Sequence, residues 1–243
     1  GICSAQPLDG LHRSHAVGFP APGLKIAMDP IAPGLNEVRI GGPNLFLGYR
    51  TADGRVGAPG EWIRSGDLGA YGEDGQLHLL GRSKDVIIRS GHNIDPAAIE
   101  EAAYAHAGVR HAAAVGLPDH YAGELPILFV VAEKDADLSD LEAVLGSSSL
   151  EPPARPRRIV VIDEMPLTPI GKIERYKLRQ RAAILKATDL LASLPTHQVA
   201  CEDFAARALE ITWEASAIGA HVAQADALLA EAGLGAIHKG PAI

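Results

Sequence analysis

Three short polar segments carry the residues whose types could do chemistry. The first is Trp62-Ile63-Arg64-Ser65-Gly66-Asp67-Leu68-Gly69. Asp67 follows a glycine and precedes an apolar run, a place where a backbone can pass close to a ligand. An ionised carboxylate accepts two hydrogen bonds at once, a geometry that two adjacent ribose hydroxyls would satisfy. The same residues also fit a turn aspartate that caps its own backbone. The second segment runs from Gly81-Arg82-Ser83-Lys84-Asp85 to Ser90-Gly91-His92-Asn93-Ile94-Asp95-Pro96. Gly91 and its neighbours would let a chain thread past a ligand, and a solvated loop with charges would read alike. The third is Pro166-Leu167-Thr168-Pro169-Ile170-Gly171-Lys172-Ile173. Its prolines and glycine argue against regular structure, and Lys172 stands at the exit. A lysine ammonium is a compact charge suited to phosphate or carboxylate oxygens, although a lone Gly-Lys is equally an exposed loop.

The elements that must hold these segments can be read from pattern. Gly and Pro punctuate residues 1–80, which read as β-rich. Leu24–Met28 and Glu37–Ile40 alternate as half-buried strands do. Glu73-Asp74-Gly75 separates Leu68–Tyr71 from Gln76–Leu80 and signals a hairpin whose two central positions take positive φ. Asp85–Arg89 is a short β-branched run. Asp95 then caps a helix with Pro96 at its first position, and Ile99, Ala102, Ala103 and His106 mark the inner face. Ala112–Leu117, Ile127–Ala132 and Arg158–Ile162 read as strands, and Ser139 with Glu142 as a capping box for a short helix ending at Gly146. From Glu174 onward helix formers dominate, with further helices expected over Glu202–Ser216 and His221–Ala232.

Composition narrows the classes. The 243 residues are 47% hydrophobic and 21% charged, as in a globular protein. A formal net charge of −8 argues against a nucleic-acid backbone as the main partner. No apolar run approaches the roughly 18 residues of a membrane span. Cys3 and Cys201 lie far apart with no metal or redox spacing, and a reducing, cytoplasmic setting is expected. The opening Gly1-Ile2-Cys3-Ser4 has neither initiator Met nor signal-peptide pattern, and reads as a chain that continues upstream.

In their order and spacing the segments resemble the stations of the adenylate-forming superfamily, which includes acyl-CoA synthetases, luciferases and peptide-synthetase adenylation domains. The residues that carry this are Gly48-Tyr49, Ser65-Gly66-Asp67-Leu68, Gly81-Arg82 through Asn93-Ile94-Asp95-Pro96 with Ile99-Glu100, and Pro166-Leu167-Thr168 with Gly171-Lys172-Ile173, over about residues 16 to 181. Ser90–Pro96 and Glu151–Arg158 are most similar to bacterial fatty-acyl or related carboxylate–CoA ligases.

The resemblance implies an α+β chain of four parts. Residues 1–81 would be the β-rich end of a large AMP-binding domain, 82–86 a hinge, 87–181 a small mobile α/β domain and 182–243 a helical tail. It implies that Asp67 holds the ribose hydroxyls of ATP, that Arg82 contacts the nucleotide and that Lys84 lies at the hinge. Gly91 and His92 would fall on the loop that meets CoA. Lys172 would be the catalytic lysine of acyl-adenylate formation. The substrates implied are a carboxylic acid, ATP and CoA, with Mg2+ in the complete enzyme. Loading of a carrier protein, or a non-catalytic module that binds a nucleotide or partner, are the alternatives. The basic residues Arg157, Lys177, Arg179 and Arg181 fit either CoA phosphates or a solvated helix face.

The sequence also departs from that pattern. It lacks the phosphate loop and the aromatic-x-x-Thr-Glu segment that would hold adenine and Mg2+, so the isolated chain is expected to be inactive or nearly so, with the N-terminal part of the same enzyme as its missing partner. Asn93 stands where some relatives have an arginine near CoA.

Overall fold

A computed structural model describes residues 3–8, 16–32, 35–54, 56–57, 60–194, 197–201, 208–213 and 218–239. The chain divides into two compact units, Gly1–Val86 and Ile87–Ile243.

The first unit is built from strands β1 (Ser4–Ala5), β2 (Ala16–Pro20), β3 (Lys25–Ala32), β4 (Leu35–Gly41), β5 (Tyr49–Arg50), β6 (Val56–Gly57), β7 (Trp62–Tyr71) and β8 (Leu77–Arg82). Six of them form an antiparallel sheet in the order β1-β2-β8-β7-β4-β3, while β5 and β6 pair separately. Its core is thin. Val38, Leu68 and Leu77 are buried, whereas Phe46, Leu47, Tyr49 and Val56 stay exposed.

The hairpin between β7 and β8 is present, but its turn differs from the one expected. Gly75 N–H donates to Gly72 O at 2.9 Å, and Gly75 alone of the turn has positive φ, +75°. That is a type I turn closed by a left-handed glycine, which suits a three-residue loop. Asp74 contributes through its side chain, accepting the Gln76 amide at 3.1 Å.

The second unit contains β9 (Ile87–Arg89), β10 (His92–Ile94), α1 (Pro96–Tyr104), β11 (Val109–Asp119), β12 (Gly123–Ala132), α2 (Leu141–Ser147), β13 (Arg158–Val161), α3 (Arg175–Leu191), β14 (His197–Ala200), β15 (Ala208–Trp213), α4 (Ile218–Glu231) and β16 (Gly235–Lys239). β11 and β12 form its central ladder. β9 joins the start of β12, and β13 runs parallel to its later half. Both faces of this ladder are covered, which explains the near-continuous apolar runs. Ala112, Ala114, Leu128 and Val130 pack with Ile99, Ala103, Leu141 and Leu145. Ala113, Val115, Ile127 and Phe129 face the other way, onto Leu178, Ala182 and Ala183 of α3. Asp95 caps α1 as expected, accepting the Ala97 amide at 2.9 Å.

Two sequence expectations are corrected. The tail is not helical throughout. Ala208–Trp213 is a strand, and β14, β15 and β16 form a sheet in which α4 crosses between the parallel pair β15 and β16. Leu209, Ile211 and Trp213 are buried, a period of two that outweighs the local wealth of alanine and glutamate. Residues 202–207 and 214–216 of that expected helix lie outside the described residues. The second expected tail helix is α4. The capping box also fails. Ser139 Oγ donates to Asp137, and the N-cap Asp140 gives its carboxylate to His106 at 2.7 Å.

Candidate functional site

Asp67 sits on an irregularity in β7. Against β4, Leu68 pairs with Glu37 and Arg64 with Arg39, so Ser65-Gly66-Asp67 bulge opposite Val38 alone. Gly66 takes φ +75°, and a Cβ there would meet only Arg82 Nη1, in ordinary contact at 3.9 Å, so conformation rather than crowding requires the glycine. A bulge frees backbone amides from the ladder, and each needs a partner. Glu37 supplies one: its Oε1 accepts the Gly66 amide at 3.0 Å while Oε2 takes Arg64 Nε at 2.8 Å. Glu37 is 6% exposed, buried as few carboxylates are unless paired. Ser65 Oγ accepts the Asp67 amide at 3.0 Å, and Ser83 Oγ donates to Gly66 O at 3.3 Å.

Across the hairpin Asp67 pairs with Arg82 in register, and Arg82 Nε stands 2.7 Å from Asp67 Oδ1. The two side chains are 28% and 52% exposed. An ion pair so open to water contributes about 0–1 kcal/mol, so a ligand can rearrange it at little cost. The result is a rigid backbone corner carrying an acceptor and a forked donor side by side. Lys84 lies just beyond, exposed, in a 3-10 turn over Ser83–Asp85.

The second unit holds the other singled-out residues. Lys172 is exposed at the end of a small hairpin. Thr168 N–H donates to Lys172 O and Gly171 N–H to Thr168 O, both at 2.8 Å. Thr168 Oγ1 accepts the Lys172 amide at 3.0 Å. Leu167 bridges Ile173, and Glu174 N–H closes on Pro166 O at 2.9 Å. The prolines and glycine therefore build a braced turn, where irregular chain was expected. Pro169 sets φ within it, and Gly171 supplies the left-handed residue at +79°. Among the described residues the Lys172 ammonium has no side-chain or backbone partner.

The base of this hairpin is anchored by a pair that sequence reasoning missed. Arg175 opens α3 and reaches Glu100 of α1 at 2.5 and 3.1 Å, with a further bond to Ala114 O at 3.2 Å. Glu100 Oε1 also accepts the Ala114 amide at 2.8 Å. A cation in the first turn of a helix opposes the helix dipole, and that was the available signal that Arg175 had a specific partner.

Gly91 and His92 lie on the hairpin of β9 and β10. Arg89 pairs with His92, leaving a two-residue turn in which Ser90 and Gly91 both have positive φ, +49° and +83°. Turns of that type match the twist of the strands they join. A Cβ on Gly91 would meet nothing within 4 Å. His92 is exposed and borders a groove of about 640 Å³ shared with Asn93, Asp95, Glu101, Ser149 and Glu151. Burial pushes the Asp95 carboxyl up, and the Ala97 amide and the Arg175 charge offset this only in part.

The structure thus brings Asp67 and Arg82 together, and places Lys172, Gly91 and His92 in the other unit. Of the basic residues, Lys177 is paired with Glu174 of its own turn at 2.5 Å, Arg157 borders a groove with Arg155 and Arg158, and Arg181 borders another with Val161 and Leu185. No helix among the described residues is long and apolar enough to cross a membrane.

Residues 98–172 match the family described as the AMP-binding enzyme C-terminal domain. The chain is 43% identical over 160 residues to a marinolic acid–CoA ligase of a Pseudoalteromonas species, covering 64% of this chain and 24% of that protein. It is 33% identical over 190 residues to a long-chain-fatty-acid–CoA ligase of Salmonella typhimurium, covering 74% and 34%. Among solved structures, ATP-bound MatB from Rhodopseudomonas palustris superposes with a TM-score of 0.65 at 29% identity, over 73% of this chain and 38% of that one. The chain therefore spans about a quarter to two fifths of the proteins it resembles.

Proposed function

We propose that this chain, whose residues 98–172 match the AMP-binding enzyme C-terminal domain family, is part of an AMP-forming carboxylic acid–CoA ligase. In the first step a carboxylate oxygen attacks the α-phosphorus of ATP and pyrophosphate leaves. In the second the CoA thiol attacks the acyl carbonyl, the acyl–phosphate bond breaks and AMP leaves. Both steps bring anions together, so the protein's task is positioning and charge neutralisation.

The residue roles follow from the chemistry each can do. Asp67 accepts the two ribose hydroxyls, and Arg82 donates to the same nucleotide from the neighbouring strand. Lys172 bridges the carboxylate and a phosphate oxygen, for which an unpartnered ammonium on a braced turn is suited. Lys84 precedes the boundary between the units and acts as the hinge by which the small domain exchanges one half-reaction for the other. Gly91, with His92 beside it, leaves room for the thiol-bearing arm of CoA.

The observation that carries this reading is the Asp67–Arg82 pair, set on a buried brace in the same chain as the matched family domain. The relatives named for fatty-acid and marinolic acid ligases support a fatty or similar acid. Exposed Phe46, Leu47 and Tyr49 support an active enzyme in which the first unit is covered by further polypeptide. Among the described residues no group of three His, Cys, Asp or Glu is placed to hold a metal ion.

The test is carboxylate-dependent exchange of pyrophosphate into ATP, followed by CoA-dependent release of AMP. A polypeptide carrying this chain together with a phosphate loop is expected to do both, with long-chain acids among its substrates, and the chain alone to do neither. Failure of every carboxylate to support exchange would contradict the assignment.

A further inference from the structure

The C-terminal module, β14 to β16 with α4, shares one hydrophobic core with α3 and the ladder, through Leu209, Ile211, Trp213 and Leu229, and one corner of that contact is polar. Lys186, midway along α3, donates to Pro118 O at 2.8 Å and to Ala232 O at 3.2 Å, and lies 3.5 Å from Asp119 Oδ2. Pro118 and Asp119 end β11, and Ala232 follows α4. Gly233, left-handed at φ +71°, packs on the same corner: a Cβ there would stand 3.5 Å from Pro118 Cβ and 3.7 Å from the Asp119 amide nitrogen. Leu234 N–H returns to Leu229 O at 2.9 Å, so the helix end is capped and its position fixed. One largely buried ammonium therefore ties the module to the end of β11.

Asp119 passes that tie onward. Its Oδ1 accepts the amides of Tyr121 at 3.1 Å and Ala122 at 3.0 Å, which sets the turn between β11 and β12. Burial pushes the Asp119 carboxyl up, but these amides and the Lys186 charge outweigh it and hold the group below the usual carboxylate range. Ala122 O in turn accepts the Ser90 amide at 2.7 Å, and Gly123 pairs with Arg89. Glu124 adds a bond from the Ile88 amide at 3.0 Å. A Cβ on Gly91 would meet nothing within 4 Å, and the turn is held through Ser90 and Arg89.

We propose that Asp119 and Lys186 are positioning residues for the Ser90-Gly91 turn, and that through them the C-terminal module holds the loop assigned to CoA. The positioning stands on geometry alone. The link to CoA rests on the proposed function.

Amide hydrogen exchange on the 243-residue chain tests both layers. In Lys186→Met the Ser90 and Ala122 amides should exchange about tenfold faster, while those of Phe129 and Val130 keep their rates. Lys186→Arg, which can donate to the same carbonyls, should restore most of the protection. Unchanged exchange at Ser90, or equal acceleration at Ser90 and Phe129, would overturn the positioning role. Should Lys186→Met fail to fold, Asp119→Asn keeps the Oδ1 acceptor, loses the charge and replaces Oδ2, the atom facing Lys186, by an amide NH2. About threefold faster exchange at Ser90 is then expected, and none overturns the proposal. Added CoA should slow exchange at Ser90 and Gly91 in the wild-type chain, and less so in Lys186→Met. A wild-type chain whose turn ignores CoA overturns the CoA link, while the variant comparison still decides the positioning.

Discussion

The Asp67 corner and the Lys172 hairpin present opposite charges by opposite means. Asp67 stands on a bulge in a sheet, its backbone braced by the buried Glu37 and its carboxylate already paired with Arg82. Lys172 stands on a turn braced by its own backbone, with its ammonium unpartnered and its support two side chains from distant helices. The difference teaches where each group gets its precision. The carboxylate is fixed by strand register, and the lysine is fixed at its base and free at its tip. A group that stays in one place can be built into a ladder. A group that must enter and leave needs a rigid stem and an unengaged end.

The sharpest way to break this comparison is Lys172→Ala. Loss of one preorganised charged donor should lower acyl-adenylate formation about 10²–10³-fold and leave thioester formation from supplied acyl-adenylate intact. Separate kinetics of the two half-reactions check it, and equal losses would remove the distinction drawn for Lys172. Next is the stem. Glu100→Ala takes the carboxylate from the Arg175 guanidinium and the acceptor from the Ala114 amide in partly buried places, and should cost the second unit about 2–3 kcal/mol in urea unfolding, leaving the first unit unchanged. The smallest effect is expected at the other brace. Glu37→Ala leaves the Gly66 amide without its acceptor and should cost the first unit about 1–2 kcal/mol. In the complete enzyme it should raise the KM for ATP more than it lowers kcat. A loss confined to kcat would mean that Glu37 does not act through Asp67.

How much of this was legible follows from how local each feature is. The Asp95-Pro96 cap, the hairpin at Gly75 and the apolar runs of β11 and β12 depend on neighbours in sequence, and pattern found them. The β15 strand was hidden because alanine and glutamate mask an alternation only three inward residues long, Leu209, Ile211 and Trp213. Glu37 could not be found because its role depends on a slip of register between two strands. Arg175 and Glu100 are 75 residues apart, beyond any local pattern. Of the candidate site, Asp67, Arg82 and Lys172 are proposed from residue type and order alone. The residues that brace those proposed site residues, Glu37, Glu100 and Arg175, were not legible, because burial and pairing are decided by tertiary contacts.

The central claim is that Asp67, Arg82 and Lys172 serve one nucleotide. Its most direct test is the rate at which an amine-reactive probe modifies Lys172 in the enzyme that carries this chain, with and without ATP and a carboxylic acid. ATP and acid together should protect Lys172 in the wild type, and the protection should vanish in Asp67→Ala. A Lys172 that reacts equally fast in all four conditions would contradict the account.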